Sequence, residues 1–239
     1  MDKRVPEVRF KGFTDDWEQH QLGELVNKLY NGQTPSRSNK ENWNGNINWL
    51  SSGELNHGLI TKTIERITSS GQKQANLHLI PSGTFIMAIT GLEAAGTRGN
   101  CAILGIETTL NQSCMALFPI NEKLTVPFLF QWYLKYGEQY GIEYTQGTKQ
   151  QSYNAEIIKI LPISIPSIKA QKRITSLLDT MDKLITLQQD KILLYTKLKQ
   201  SILEKLFPSY SKKSPDMRFN DFNKNWEQRK HLITDRIEK

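Results

Sequence analysis

The stretch TQGTKQQSYN, residues 145–154, packs four Gln or Asn, one Lys, three Thr or Ser and a Tyr into ten positions. Side chains of these types read base edges: Gln and Asn pair two hydrogen bonds with adenine, Lys or Arg with guanine, Ser and Thr with either. Lys149, Gln150, Gln151, Ser152 and Tyr153 are therefore candidate DNA contacts, in a segment that reads equally as a solvated loop. Similar candidates stand elsewhere: Thr34, Ser36 and Arg37 in and after the NGQTPS turn, Ser51 and Ser52 after an apolar run, Arg98 in a Gly-rich segment, and Asn111 with Gln112. Charged members of such a set contact phosphate, which positions a protein without reading sequence.

Catalytic constellations are missing from the sequence. There is no G-x-x-x-x-G-K-[ST] phosphate loop, no G-x-G-x-x-G, no G-x-S-x-G elbow and no H-E-x-x-H. Gly91, Gly96 and Gly99 have the wrong spacing and read as turn glycines. No Asn-Pro-Pro-aromatic tetrapeptide, which would hold a target amine for methyl transfer, occurs. Pro215-Asp216 with Asp221 and Lys224 fails the spacing of a nuclease carboxylate cluster. Cys101 and Cys114 make no disulfide framework, and His20, His57, His78 and His231 form no ligand pattern. The expectation is a recognition protein with no catalytic residue, metal or cofactor of its own.

Charge sharpens that expectation by its location. The 239 residues carry a net charge of +7. Residues 1–166 are neutral, residues 167–213 hold +6, and residues 214–239 hold +1. The basic excess thus sits on one segment, which suits an acidic partner or a solvated helix face. No apolar run approaches the roughly 20 residues of a membrane span. The first thirty residues lack the apolar core of a secretory signal, so the expected place is the cytoplasm.

The elements that must position the candidates read as a mixed α/β domain, of the α+β kind, followed by one long helix. INWLSS (47–52), TFIMAIT (84–90), CAILGI (101–106) and SCMALFPI (113–120) are strand signals separated by Gly-rich punctuation. VPFLFQWYLKYGEQY (126–140) predicts a helix, with Pro127 in its first turn and Phe128, Leu129, Trp132 and Tyr136 on one stripe. LGELV (22–26) begins a short helix or strand, and LPISIP (161–166) reads as a Pro-bounded connector. The expected division is a docking segment over 1–20, a DNA target-recognition domain over 21–166, a long coiled-coil helix over 167–208 and the truncated start of a second repeat over 209–239.

Between Pro166 and Pro208 there is no Pro or Gly. Positions alternately four and three apart run Ile174, Leu178, Met181, Ile185, Gln188, Ile192, Tyr195, Lys199, Ile202 and Leu206, and eight of the ten are apolar. That is a coiled-coil seam held over more than four heptads, with Gln188 and Lys199 as polar register positions. Leu177, Leu184, Leu194 and Leu198 widen it. An apolar seam costs about 25 cal/mol per Å² left in water, and only one such helix is present. A second copy, paired antiparallel about a two-fold axis, is the simplest cover.

The chain also repeats a phrase. PEVRFKGFTDDWEQ (6–19) returns as PDMRFNDFNKNWEQ (215–228), identical at seven of fourteen positions without a gap. An offset of 209 residues is a duplicated domain-sized unit, not a solenoid period of roughly 20–50 residues.

Taken together, RFKGFTDDWEQHQLGEL, NGQTPS, WLSSGELNHGLI, LNQS, the GTKQ loop and LPISIPSIKAQKRITSLLDTMDKLI resemble the specificity subunit of a Type I restriction–modification system, over nearly the whole chain. The most diagnostic is the last, a Pro-ended strand, a Gln and an Ile–Leu–Asp helix. The resemblance implies a target-recognition domain that reads one half of a bipartite DNA site, followed by a helix that spaces it from a second domain. It implies methyltransferase subunits as partners, bringing S-adenosylmethionine and the adenine-modifying chemistry, and a translocating nuclease subunit in the restriction complex. With one recognition domain and one helix, the sequence departs from the two-domain pattern and is similar to a half-length form. A homodimer through the helix would then read an interrupted palindrome, because site symmetry mirrors protein symmetry. A truncated structural or decoy subunit, binding partners without productive DNA recognition, is the alternative.

Overall fold

The computed structural model describes residues 6–92, 96–145, 152–209, 212, 214–222, 224, 226 and 227. In chain order the elements are β1 (Glu18–Gln21), β2 (Val26–Asn31), β3 (Trp43–Leu50), β4 (Leu59–Ile60), β5 (Glu65–Ile67), α1 (Ser69–Gln74), β6 (Phe85–Ala88), β7 (Cys101–Leu104), β8 (Thr109–Leu110), β9 (Cys114–Pro119), α2 (Val126–Glu143), α3 (Ala155–Ile160), β10 (Pro162–Ile165) and α4 (Ile168–Leu206). Short 3-10 turns stand at Leu22–Leu25, Lys40–Asn42 and Ser52–Glu54. The fold is mixed α/β with a long C-terminal helix, as the patterning predicts.

Period-two alternation builds the centre. The five-stranded sheet runs β2-β9-β6-β7-β4. Phe85 and Met87 of β6, Cys101 of β7, and Met115 and Leu117 of β9 face one core. Ile86, Ala88, Ala102, Leu104, Cys114 and Ala116 face the other. Successive strand side chains point to opposite faces, so strands covered on both sides read as unbroken apolar runs. The first core is closed by Phe128, Leu129, Trp132 and Tyr133 of α2 and by Ile157, Ile158 and Ile163. Thr125 caps α2, its hydroxyl accepting from the Phe128 N–H at 3.4 Å.

A three-stranded sheet, β5-β3-β8, carries the third cluster, Trp49, Ile67 and Leu77. Its β3–β8 pair is parallel, with Leu50 opposite Leu110. LPISIP is a strand rather than a connector: β10 pairs antiparallel with β1. Pro162 fits because it opens the strand, where proline is tolerated, and its carbonyl accepts from the Tyr140 hydroxyl at 2.6 Å. The N-terminal docking segment therefore ends inside a sheet.

The chain divides into two compact units, Met1–Leu177 and Leu178–Lys239. The boundary lies inside α4, about ten residues beyond the helix start used in the sequence reading. Ala170, Gln171 and Thr175 are buried in the first unit, whereas nearly every residue from Asp179 to Lys205 is exposed. Gln171 anchors the helix start. Its side-chain oxygen accepts from the Thr125 N–H at 2.9 Å, and its amide donates to the Lys123 carbonyl at 2.8 Å and the Pro166 carbonyl at 3.0 Å.

Candidate nucleic-acid interface

The turn after β2 is pinned almost atom by atom. Gly32 passes so close to β8 that an added Cβ would lie 2.0 Å from the Leu110 carbonyl oxygen, so no other residue fits without moving backbone. The Gln33 N–H donates to that carbonyl at 3.0 Å. The indole of Trp49 donates to the Gln33 carbonyl at 3.0 Å, and that of Trp43 to the Ser36 carbonyl at 3.1 Å. The Ser36 N–H donates to the Gln74 side chain of α1 at 3.1 Å. Asn31 donates to the carbonyls of Gln112 and Cys114, each at 2.8 Å. The Thr34 hydroxyl bonds the Gln112 amide oxygen.

Arg37 is the charge at the centre of this arrangement. Its guanidinium lies 3.8 Å from the Trp43 ring centre and 5.1 Å from that of Trp49, which stand edge to face at 5.2 Å. Both terminal nitrogens reach Glu65 of β5, Nη2 at 2.8 Å from Oε2. The hydrogen bond from Arg37 holds the Glu65 carboxyl below its usual range. Bidentate and stacked, the guanidinium keeps one orientation at a side chain still about half exposed.

Strand register brings a second pair of candidates to the same edge. Because β3 and β8 run parallel, Ser51 follows Leu50 where Asn111 follows Leu110, and the Asn111 N–H donates to the Leu50 carbonyl at 2.9 Å. Thr34, Ser36, Arg37, Ser51, Ser52, Asn111 and Gln112 thus belong to the turn after β2 and the ends of β3 and β8. Two of them serve the fold. Asn111 is 8 % exposed and its side chain accepts from the Ser113 N–H at 3.1 Å. Ser51 gives both its N–H and its hydroxyl to Glu54, at 3.0 and 2.8 Å.

Of the remaining candidates, the described ones, Arg98, Ser152 and Tyr153, lie elsewhere. Lys149, Gln150 and Gln151 lie outside the described residues. Ser152 bridges Thr90 beyond the end of β6. Tyr153 corrects the sequence reading: at 3 % exposure it is a core residue, its N–H bonded to the Ile89 carbonyl at 2.8 Å. The apolar ring outweighs the hydroxyl, and burial raises the phenol above its usual range. Arg98 lays its stem along Gly141 of α2.

Sequence reasoning missed Trp43, Trp49, Gln74 and Glu65. The first two carried a signal, since Trp43, Gly45, Ile47 and Trp49 alternate along one strand face; Gln74 and Glu65 carried none, because only the tertiary fold brings them to the turn. Among the described residues there is no cluster of His, Cys, Asp and Glu able to hold a metal, and no helix long and apolar enough to cross a membrane.

A family model described as the Type I restriction modification DNA specificity domain matches residues 14–195, well over half of the chain. The chain belongs to that family. It is 27 % identical over 180 residues to the EcoR124I/EcoR124II specificity subunit of Escherichia coli, covering 74 % of this chain and 43 % of that protein. It is 22 % identical over 210 residues to the MjaIX specificity subunit of Methanocaldococcus jannaschii, covering 86 % and 47 %. The crystal structure of a Type I restriction–modification S subunit from M. genitalium superposes with a TM-score of 0.57 at 17 % identity, over 87 % of this chain and 49 % of that one. At that identity the likeness is one of fold. The chain spans a little under half the length of these specificity subunits.

Proposed function

We propose that this protein is the non-catalytic DNA-reading subunit of a Type I restriction–modification complex in the cytoplasm, and that its recognition domain reads one half of a bipartite site in double-stranded DNA. The observation that carries the reading is the stacked, bidentate Arg37 in the same pinned turn as Thr34, whose hydroxyl bonds Gln112, a rigid set of donors and acceptors on a domain of the specificity family. Rigid polar groups suit base readout because geometry is set before DNA arrives.

The second unit supports self-association. Met181, Ile185, Ile192, Tyr195 and Ile202 of the α4 seam are 38–65 % exposed. Pairing with a second copy covers that stripe and places two identical recognition domains about a two-fold axis, so the site read is an interrupted palindrome. Leu187 and Leu194 lie roughly 130° around the helix from the seam, at 3.6 residues per turn, so Leu194 stands apart from the seam rather than widening it, and the two are 63 % and 64 % exposed. This second stripe suits the methyltransferase subunits, to which S-adenosylmethionine and adenine modification are assigned; a nuclease subunit joins the same scaffold.

Co-expression with the cognate methyltransferase subunit, followed by genome-wide mapping of methylated adenines, tests the proposal. The expected result is one interrupted palindromic motif. A stable complex that adds no methylation overturns the reading in favour of a structural subunit, and two different half-sites overturn the homodimer.

A further inference from the structure

Among the described residues, the repeated phrase closes the same Phe-to-Phe turn twice, with an arginine donating to backbone carbonyls beyond it each time. In the first copy the Phe13 N–H closes a turn on the Phe10 carbonyl at 3.2 Å, and Arg9 donates to the Phe13 and Thr14 carbonyls at 3.4 and 2.6 Å. In the second, the Phe222 N–H closes on the Phe219 carbonyl at 3.0 Å, and Arg218 donates to the Phe222 and Lys224 carbonyls at 3.4 and 3.2 Å. Gly12 takes the left-handed backbone in the first turn, at φ +90°; Asp221 closes the second without it.

Their surroundings differ. Phe10 of the first copy is half-buried, with Arg173 of α4 5.4 Å from its ring centre, and Trp17 packs on Phe128 at 5.8 Å. In the second copy Trp226 rests on Phe207 at 5.8 Å, while Phe219 and Phe222 are 71 % and 70 % exposed. A groove of about 700 Å³ opens beside the first copy, lined by Phe10, Lys11, Phe13, Lys169, Lys172, Arg173 and Ser176. It presents two aromatic rings and four cations and no carboxylate. None of the four cations has a carboxylate partner among the described residues, and Asp221 has no cation partner there either.

We propose that this groove is the docking site for residues 219–222 of a second copy of this chain, with Phe219 and Phe222 packed against Phe10 and Phe13 and Asp221 set among Lys11, Lys169, Lys172 and Arg173. The occupant follows from complementarity. The phrase already packs an aromatic ring against α4 in its first copy. The second copy brings the same rings uncovered, and replaces Lys11 and Gly12 by Asn220 and Asp221. It therefore exchanges a positive charge for a negative one where the groove is positive. The inference rests on the self-association proposed above, because antiparallel pairing brings the end of one α4 to the start of the other.

Photo-crosslinking of the full chain tests it. A benzoyl-phenylalanine replaces Phe222 in one sample and Gln188, on the seam, in another. Each is prepared as a mixture of heavy- and light-isotope protein, so that crosslinks between copies carry both labels. The expected result is mixed-label crosslinks from 222 to residues 10–13 or 169–176. Mixed-label crosslinks from 188 with none from 222 to the groove overturn this inference and leave pairing intact; none from either position overturn both. Asp221→Lys in the Phe222 sample lowers the groove crosslink about fivefold, the scale of one exposed charge pair turned repulsive, and Lys172→Glu with Arg173→Glu restores it. An unchanged yield overturns the charge match.

Discussion

At Arg37 two of the five guanidinium donors are directed at Glu65, and the flat face lies on Trp43. Any DNA contact uses the donors that remain or draws the fork away from the carboxylate. Removing the competing charge is therefore informative. Glu65→Gln is expected to raise the affinity of the methyltransferase complex for its DNA about threefold and to steepen the slope of log K against log salt by up to ~0.9, one added phosphate contact. Arg37→Ala is expected to weaken binding about tenfold, at the lower end of a guanine contact. Fluorescence anisotropy across a salt series reads both; unchanged slope and affinity in both variants make Arg37 a scaffold residue. The same residue scale shows why a polar side chain in sequence is a poor guide to exposure. Asn111 and Gln112 are neighbours with nearly the same chemistry, yet one is buried and its amide closes a turn, while the other stays exposed with its amide oxygen bonded to Thr34.

At the scale of elements, α4 does two different things along its length. Its first turns belong to the recognition domain through Gln171, which joins the α4 start to Lys123 and Thr125 across nearly fifty residues of sequence. This gives a physical reason for a Gln after the Pro-ended strand. Gln171→Leu leaves a buried N–H and two carbonyls without partners, an expected loss of about 3 kcal/mol, or roughly 6–12 °C in Tm for a domain of this size. Calorimetry checks it. The rest of the helix shows its apolar stripe to solvent, and there packing energy comes only from a partner. Ile185→Asp places an unpaired charge in the proposed seam, so sedimentation is expected to report the mass of one chain at micromolar concentration while the Tm of the recognition domain is unchanged. Persistence of the dimer refutes the register of the seam.

For the whole molecule, buried acids link the core to pH. Burial pushes the Cys101 thiol up to about 12. Burial first, then the neighbouring Tyr136, Tyr144 and Glu143, push the Tyr140 phenol up to about 12. Both values stand above the ordinary ones of about 8.5 and about 10, so the unfolded chain releases these protons before the folded one does. Their stabilisation is complete below about pH 8.5 and is lost as pH rises toward 12. Urea midpoints measured at about pH 8 and about pH 10.5 are expected to fall with pH, with Cys101 and Cys114 unreactive to thiol reagents until the fold opens. A flat profile contradicts the burial of these groups.

Periodicity and rare residues carried the rest of the legible content. The sheet strands, α2, α4 with its seam, and the doubled phrase are local patterns, and a local pattern survives in one dimension because each side chain's face is set by its place in the helix or strand repeat. Ser51 beside Asn111, Glu65 under Arg37, Gln171 against Thr125, and the burial of Tyr153 appear in no local pattern. They depend on which strand lies next to which, and strand order is decided by the packing of both sheet faces at once. The sequence alone determined that this chain is a recognition domain followed by a helix with an uncovered stripe. Only the tertiary structure decided which polar side chains are held rigid at one edge and which are consumed by the core.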